Sequence, residues 1–320
     1  MSNHQNDRPS DTGDNGPPIL VTGSHRSGST WVGRMLSLPR HVGYIHEPFS
    51  LKVRPGVCNH GFTNWFQYLC DDNGEPYVEE LSRSLRFEYK PLLELRHVRS
   101  ARDAGRLLRD WAYCSYHSLM GSRPLMKDPI ALFSAPWLAK RWRMRVVVVI
   151  RHPAAFVGSL KRTGWRFSFE NMTRQPLLMR ELAEFSEDIE RASRENAGVL
   201  EEAVLLWRII HHRINVYRQN HPDWVFVRHE DLSRDPVEQY RRLYDLLDLD
   251  FAPRVRRTIR AHSMASEGGK QPGTMSISRD SRANIWSWRK RLSEHEVNRV
   301  REGTRDISPM FYGDGDWLPA

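Results

Sequence analysis

Nine consecutive residues, Gly23-Ser24-His25-Arg26-Ser27-Gly28-Ser29-Thr30-Trp31, carry the densest chemistry in this 320-residue sequence. The glycines let the backbone wrap closely round a ligand, the Ser and Thr hydroxyls add donors, and Arg26 adds a positive charge. Set between a strand and a helix, such a loop binds an anion, because a helix start offers unpaired N–H groups and the positive end of its dipole. The Gly23…Gly28 spacing equals that of a Walker A loop, G-x-x-x-x-G-K-[ST]. Ser29 stands in the Lys position, however, and the cation comes three residues earlier, as Arg26. A ligand-free Gly/Ser turn is the plainer reading; strand, glycines, cation and helix falling in register argue against it.

A second group is Arg151-His152-Pro153, followed by Ser159. P-loop NTPases place an acid at the end of a later strand to hold Mg²⁺. Here a cation stands in that place, so metal-dependent phosphoryl transfer loses ground. Two anion sites, one at the loop and one at Arg151/Ser159, fit a nucleotide with phosphates at both ends of its ribose. The other reading of Arg151 is an ion pair capping the sheet. Lys127-Asp128-Pro129 closes a further strand end, where ligands gather in open α/β sheets; a structural Lys127–Asp128 pair is equally compatible. His211-His212 reads as surface and packing on a long helix rather than a metal pair.

The elements that must position these groups follow from periodicity. Ile19 to Thr22 forms a strand that stops at Gly23, and Thr30 to Leu36 a helix that ends near Pro39. Val42 to Ile45 and Leu125–Met126 are short strands, with a helix across Ala131 to Arg141. Arg145 to Ile150 is a continuous β-branched run, as in a parallel strand buried on both faces. Ala104 to Leu119 is a helix. From Pro176 to Asn220 the pattern is helical, and Leu200, Val204, Trp207, Ile210, Ile214 and Tyr217 trace one apolar stripe. Trp224 to Val227 is a strand, Pro236 to Leu249 a helix, 263–283 a Gly/Ser/Arg-rich loop, and Glu294 to Arg301 a last helix. Strands alternating with helices predict an α/β fold with a central, mainly parallel sheet.

Composition sets the bounds. Hydrophobic residues at 39% and charged residues at 27% exclude collagen-like, low-complexity and wholly disordered classes. The 48 basic against 39 acidic residues give +9, and 41 of the 48 are Arg. That excess suits polyanions, nucleotides or acidic membranes. A nucleic-acid binder would concentrate it in a basic stripe with interleaved aromatics, whereas these arginines are spread among Glu and Asp, so no nucleic-acid partner is expected. Cys58, Cys70 and Cys114 are too few and scattered for a disulfide scaffold or zinc site. A Cys58–Cys70 bridge is compatible with the spacing, but three free thiols are favoured. Met1 to Asn15 lacks the apolar core of a secretory signal, and no apolar run reaches membrane-span length. The expectation is a soluble cytoplasmic protein in which residues 1–18 form a disordered polar tail and 19–320 a single domain.

At these residues the sequence resembles the sulfotransferases that use 3′-phosphoadenosine 5′-phosphosulfate (PAPS). Arg26-Ser27-Gly28-Ser29-Thr30-Trp31 matches that family's phosphosulfate loop in its Arg-bearing form, common among carbohydrate and bacterial enzymes. Ile150-Arg151-His152-Pro153 with Ser159 resembles the 3′-phosphate segment. Val227-Arg228-His229-Glu230-Asp231-Leu232…Asp235-Pro236 resembles a Tyr-Glu-Asp-Leu…Pro segment, with His229 in place of the Tyr. Trp288 to Glu296 extends the match to about residue 300.

The resemblance implies a P-loop NTPase-like three-layer sandwich with helices flanking the sheet. It implies metal-independent, in-line transfer of a sulfuryl group from PAPS to a hydroxyl, or an amine, of a small-molecule, carbohydrate or glycolipid acceptor. Arg26 would stabilise the bridging oxygen, Ser27 to Thr30 would bind the 5′-phosphosulfate, and Trp31 would stack on adenine unless it is a core residue of its helix. Arg151 and Ser159 would hold the 3′-phosphate, with Arg279 and Arg282 brought over it. Just past the second strand, Glu47 is the expected general base, with His46 as the alternative. Lys127 would touch the sulfuryl group or an acidic acceptor. Residues 49–120 become an acceptor-side insertion, supplied with Phe49, Trp65, Phe66, Tyr68, Tyr77, Trp111 and Tyr113. An atypical P-loop kinase and a basic nucleic-acid-binding protein are the rival readings.

Overall fold

In the computed structural model the described residues are 16–263 and 285–318. Five strands form one all-parallel sheet in the order β2-β3-β1-β4-β5: β1 Ile19–Gly23, β2 Val42–His46, β3 Arg123–Lys127, β4 Arg145–Ile150 and β5 Val225–Arg228. β1 is central, with Val21 opposite Lys127 on one side and Val147 on the other.

The main helices around the sheet are α1 (Ser29–Leu36), α2 (Ala101–Leu119), α3 (Ala135–Trp142), α4 (Pro153–Thr163), α5 (Val199–Asn220), α6 (Pro236–Leu246), α7 (Pro253–Ser263) and α8 (Glu294–Gly303). Alternate strand residues feed two separate cores, as the two-residue period of a strand requires. Leu20, Val146, Val148 and Ile150 join Phe156 of α4 and Trp207 of α5 on one face. Ile19, Val21, Val147 and Val149 join Met35 of α1, Tyr240 of α6 and Ile259 of α7 on the other. Helix, sheet and helix therefore make three layers, as the family resemblance implies.

Details differ from the sequence reading. The helical stretch from Pro176 is broken: Pro176–Glu181, Ser186–Arg194 and α5 are separate helices, and Gly198, at φ 98°, ends the second break. α7 carries no apolar stripe strong enough to stand out among its arginines, and it was not anticipated. α6 stops at Leu246 because the chain turns through Asp248, which adopts a positive φ of 54°.

Candidate active site

The loop that leaves β1 is shaped by three positive φ angles: Gly23 at 135°, Arg26 at 64° and Gly28 at 91°. A Cβ on Gly23 would collide with the carbonyl oxygen of Val149, so only glycine lets the loop leave β1 this close to β4. A Cβ on Gly28 would meet the His229 ring. Gly28 is also the N-cap of α1 and supplies no side-chain cap, which leaves the first-turn N–H groups for a ligand. The Ser24 and Ser27 hydroxyls are buried with no hydrogen-bond partner. An unsatisfied buried hydroxyl costs about 1–3 kcal/mol, and anionic oxygens seated in this loop would remove that cost.

Arg26 extends across the sheet edge, and its Nε donates to Ser159 Oγ on α4 at 3.0 Å. The two anion sites read separately from the sequence thus share a hydrogen bond. Arg151, at the end of β4, lies 3.5 Å from the Glu230 carboxylate. Glu230 is 3% exposed; it accepts from the His152 backbone N–H at 3.2 Å and from the Tyr312 hydroxyl at 2.9 Å. Trp207 Nε1 holds the Arg151 carbonyl at 2.9 Å. Arg151 is therefore ion-paired, as the sheet-capping reading has it, and it stands at the C-terminal end of β4. Glu230 lies inside the Glu-Asp segment, but nothing local in the sequence signals that its partner is 79 positions upstream.

At the ends of β2 and β3, Lys127 Nζ donates to the Glu47 carboxylate. Lys127 is fully buried, whereas the Glu47 side chain is 30% exposed, so the pair offers its carboxylate outward. Glu47 sits at φ 47°, a conformation that costs a non-glycine residue energy and often marks functional positions. The backbone fixes it there, because Glu47 N–H donates to the Lys127 carbonyl at 2.9 Å. Asp128 is not paired with Lys127 in the structure. It caps the following turn, accepting from the Phe49 and Ile130 N–H groups at 2.6 and 3.1 Å. Burial, and then the nearby Glu47 charge, push its carboxyl up to about 7. His46 reaches the surface at the end of β2, with Nδ1 3.1 Å from the Tyr44 hydroxyl. Packing around its ring and the Lys127 ammonium hold its pKa down, to about 4.

Trp31 is half-buried, edge-on to Tyr240 and His229 at centroid distances of 5.3 and 5.7 Å. Of the aromatic residues in 49–120, Phe49 and Phe66 are fully buried, Trp65, Tyr68 and Tyr77 pack partly buried against the same core, and Trp111 and Tyr113 are exposed. His211 is buried with Nδ1 2.9 Å from the Trp207 carbonyl, and His212 pairs with Glu184 at 2.7 Å. The cysteines are free thiols. Arg279, Arg282 and most of the 1–18 tail lie outside the described residues.

One loop residue drew no role from sequence. His25 is 7% exposed, both ring nitrogens lack a partner, and Trp165, Phe156, Trp65 and Phe66 surround it at 4.7–6.0 Å. That burial, reinforced by Arg26, holds it neutral, with a pKa of about 3. Among the described residues no group of three or more His, Cys, Asp or Glu gathers as metal ligands would, and no helix is long and apolar enough to cross a membrane.

Comparison with known proteins gives one family match. The model described as "Sulfotransferase family" matches residues 17–253, which contain the loop, Glu47, Lys127, Arg151, Ser159 and Glu230. No curated protein matches the chain. Among solved structures, the sulfotransferase domain of the Synechococcus PCC 7002 olefin synthase is 17% identical, covering 98% of this chain and 99% of that one, with a TM-score of 0.47. Mouse sulfotransferase SULT7A1 complexed with PAP is 11% identical over 94% and 86%, with a TM-score of 0.47. Sulfotransferase STF9 from Mycobacterium avium is 13% identical over 92% and 76%, with a TM-score of 0.44.

Proposed function

This chain belongs to the sulfotransferase family, and we propose that it moves a sulfuryl group from PAPS to a hydroxyl, or an amine, of a small-molecule, carbohydrate or glycolipid acceptor. The observation that carries this reading is the loop before α1, where Ser27 holds a buried, partnerless hydroxyl next to Arg26, itself bonded to Ser159. The residues fit the donor: Ser27 to Thr30 and the first N–H groups of α1 would take the 5′-phosphosulfate, and Arg151 with Ser159 the 3′-phosphate. Trp31 would stack on the adenine, and Arg279 and Arg282 would close over the 3′-phosphate.

Sulfuryl transfer depends on positioning and fixed positive charge. As the acceptor oxygen bonds to sulfur, Glu47 would take its proton, while the bond from sulfur to the bridging phosphate oxygen breaks. Arg26 would neutralise the charge that grows on that oxygen; a guanidinium donates hydrogen bonds well but is a poor proton donor. Lys127 would aim the Glu47 carboxylate, and His46 is the alternative base. In-line transfer without metal is supported by Arg151 occupying the strand end where a metal-holding acid would stand. A cytoplasmic setting completes the reading.

A thermal-shift series in metal-free buffer tests it. Adenosine 3′,5′-bisphosphate is expected to stabilise the protein strongly, by the linkage between binding and folding, with Mg-ATP and oligonucleotides doing little. Equal or greater stabilisation by Mg-ATP would overturn the proposal in favour of a kinase. Labelled PAPS offered to acceptor libraries, with products weighed by mass spectrometry, then identifies the acceptor.

A further inference from the structure

α2 lies on the surface with its apolar side outward. Its inner side buries Leu107 and His117 and turns Asp110 towards Arg54. Its outer face carries Leu108, Trp111 three positions on and Leu119 eight beyond that, which are 59%, 49% and 87% exposed. The short helix Pro91–Leu95 packs beside it and adds Leu92 and Leu95, 75% and 54% exposed. A surface helix of a globular protein normally hides its large apolar side chains, and several of them exposed on one face mark an interaction site.

Charge beside this face selects the partner. Residues 91–120 before β3 hold three acids, and each is engaged: Glu94 and Asp110 with Arg54, Asp103 with Arg106. The arginines 96, 99, 102, 106 and 109 are all exposed; Arg106 and Arg109 pair with Asp103 and Asp110, which leaves the charges of Arg96, Arg99 and Arg102 to a partner. A second copy docked face to face would bring these arginines together with no exposed acid in the segment to answer them. Lipid phosphates would answer them, and leucine with tryptophan beside arginine is the pattern of a helix lying in a membrane interface.

We propose that the outer face of α2, with Pro91–Leu95, docks this protein on an anionic bilayer, lying on the headgroup layer without crossing it. The helix's 19 residues span about 28 Å, enough to cover several headgroups. Its inner side is tied to the active-site sheet: the Tyr113 hydroxyl accepts from Tyr44 N–H at 2.6 Å and donates to the Tyr44 carbonyl at 3.2 Å, three residues before Glu47. A docked membrane would therefore lie about one helix diameter, 10–12 Å, from the strand that leads into Glu47. Docking rests on this face alone; that it presents lipid-borne hydroxyls to Glu47 rests on the sulfuryl-transfer reading.

The test is flotation of the full-length chain with vesicles of phosphatidylglycerol and phosphatidylcholine, compared with phosphatidylcholine alone. Binding is expected to the anionic vesicles, to weaken as salt rises, and to fall about tenfold or more in Leu108→Glu/Leu119→Glu, since two inserted side chains become charged. Arg99→Glu/Arg102→Glu is expected to abolish the preference for anionic lipid. Stabilisation by adenosine 3′,5′-bisphosphate should be unchanged in both variants, which separates failure of docking from failure of the donor site and confirms that the variants fold. No vesicle binding, binding unchanged by the leucine substitutions, or a dimer that Leu119→Glu dissociates would each overturn the proposal, the last by identifying a second copy as the occupant.

Discussion

Arg26 and Ser159, 133 positions apart, are joined by a hydrogen bond of 3.0 Å from the guanidinium Nε to the hydroxyl. The bond ties the loop after β1 to α4, so the group proposed to meet the bridging oxygen and the group proposed to meet the 3′-phosphate belong to one unit.

Arg26→Ala is expected to lower kcat by about 10²–10³, the usual cost of losing a preorganised donor to developing charge. Arg26→Lys should recover part of it, because the charge returns without the planar fork. Ser159→Ala should weaken adenosine 3′,5′-bisphosphate binding by about tenfold, in keeping with one hydrogen bond to a charged group. Titration calorimetry and steady-state kinetics read the two separately. Equal affinity in wild type and Ser159→Ala would remove Ser159 from the nucleotide site.

Glu47→Gln retains the shape and one acceptor oxygen but cannot take a proton. Turnover should fall by about 10²–10⁴, the range for a lost general base, with nucleotide affinity intact. His46→Ala should cost no more than a few-fold. Near-normal turnover in Glu47→Gln, with a large loss in His46→Ala, would transfer the role to His46.

Much of this site was legible before the fold, because its signals are local. Glycines at 23 and 28, the Arg26–Trp31 run and the β-branched strand before Arg151 each carry their meaning within a few residues. The alternation of strands and helices was equally readable from periodicity. What escaped were relationships that only the sheet creates. Parallel pairing of β2 with β3 puts Lys127 beside Glu47, 80 positions away, and not beside its sequence neighbour Asp128. Adjacency of β4 and β5 likewise brings Glu230 to Arg151. The aromatic surround of His25 is drawn from three segments of the chain, and no short window contains it.

Glu230→Gln tests the strand-end network. The carboxylate faces Arg151, His152 N–H and the Tyr312 hydroxyl, and is 3% exposed. The amide keeps one acceptor oxygen and removes the charge, so the expected loss is about 2–3 kcal/mol of stability, seen as a lower urea midpoint. Weaker binding of adenosine 3′,5′-bisphosphate should accompany it as Arg151 loses its anchor. Unchanged stability would mean that Glu230 is not what holds Arg151.

Stability should also fall on acidification, and the sign follows from buried groups. His25, His152 and His211 are each held down, to about 3, chiefly by burial, against an ordinary value of 6.5. Between those values the unfolded chain binds protons that the folded chain refuses, so stability rises with pH in that window and is lost as pH falls through it. Asp128 opposes this: raised to about 7 from 3.8, it is protonated in the fold and ionised in the unfolded chain between those values. From about pH 6 to 4 the histidines outweigh Asp128, because His46 and His60, each held down to about 4 chiefly by burial, add to the same side, so stability is lost on acidification. His25→Phe removes one of these histidines and seats a ring of similar size where two nitrogens lack partners. It should be neutral or stabilising at pH 7 and should lower the slope by about one proton. Urea unfolding at half-unit pH steps measures both quantities; a slope unchanged by His25→Phe would show that His25 is not kept neutral in the fold.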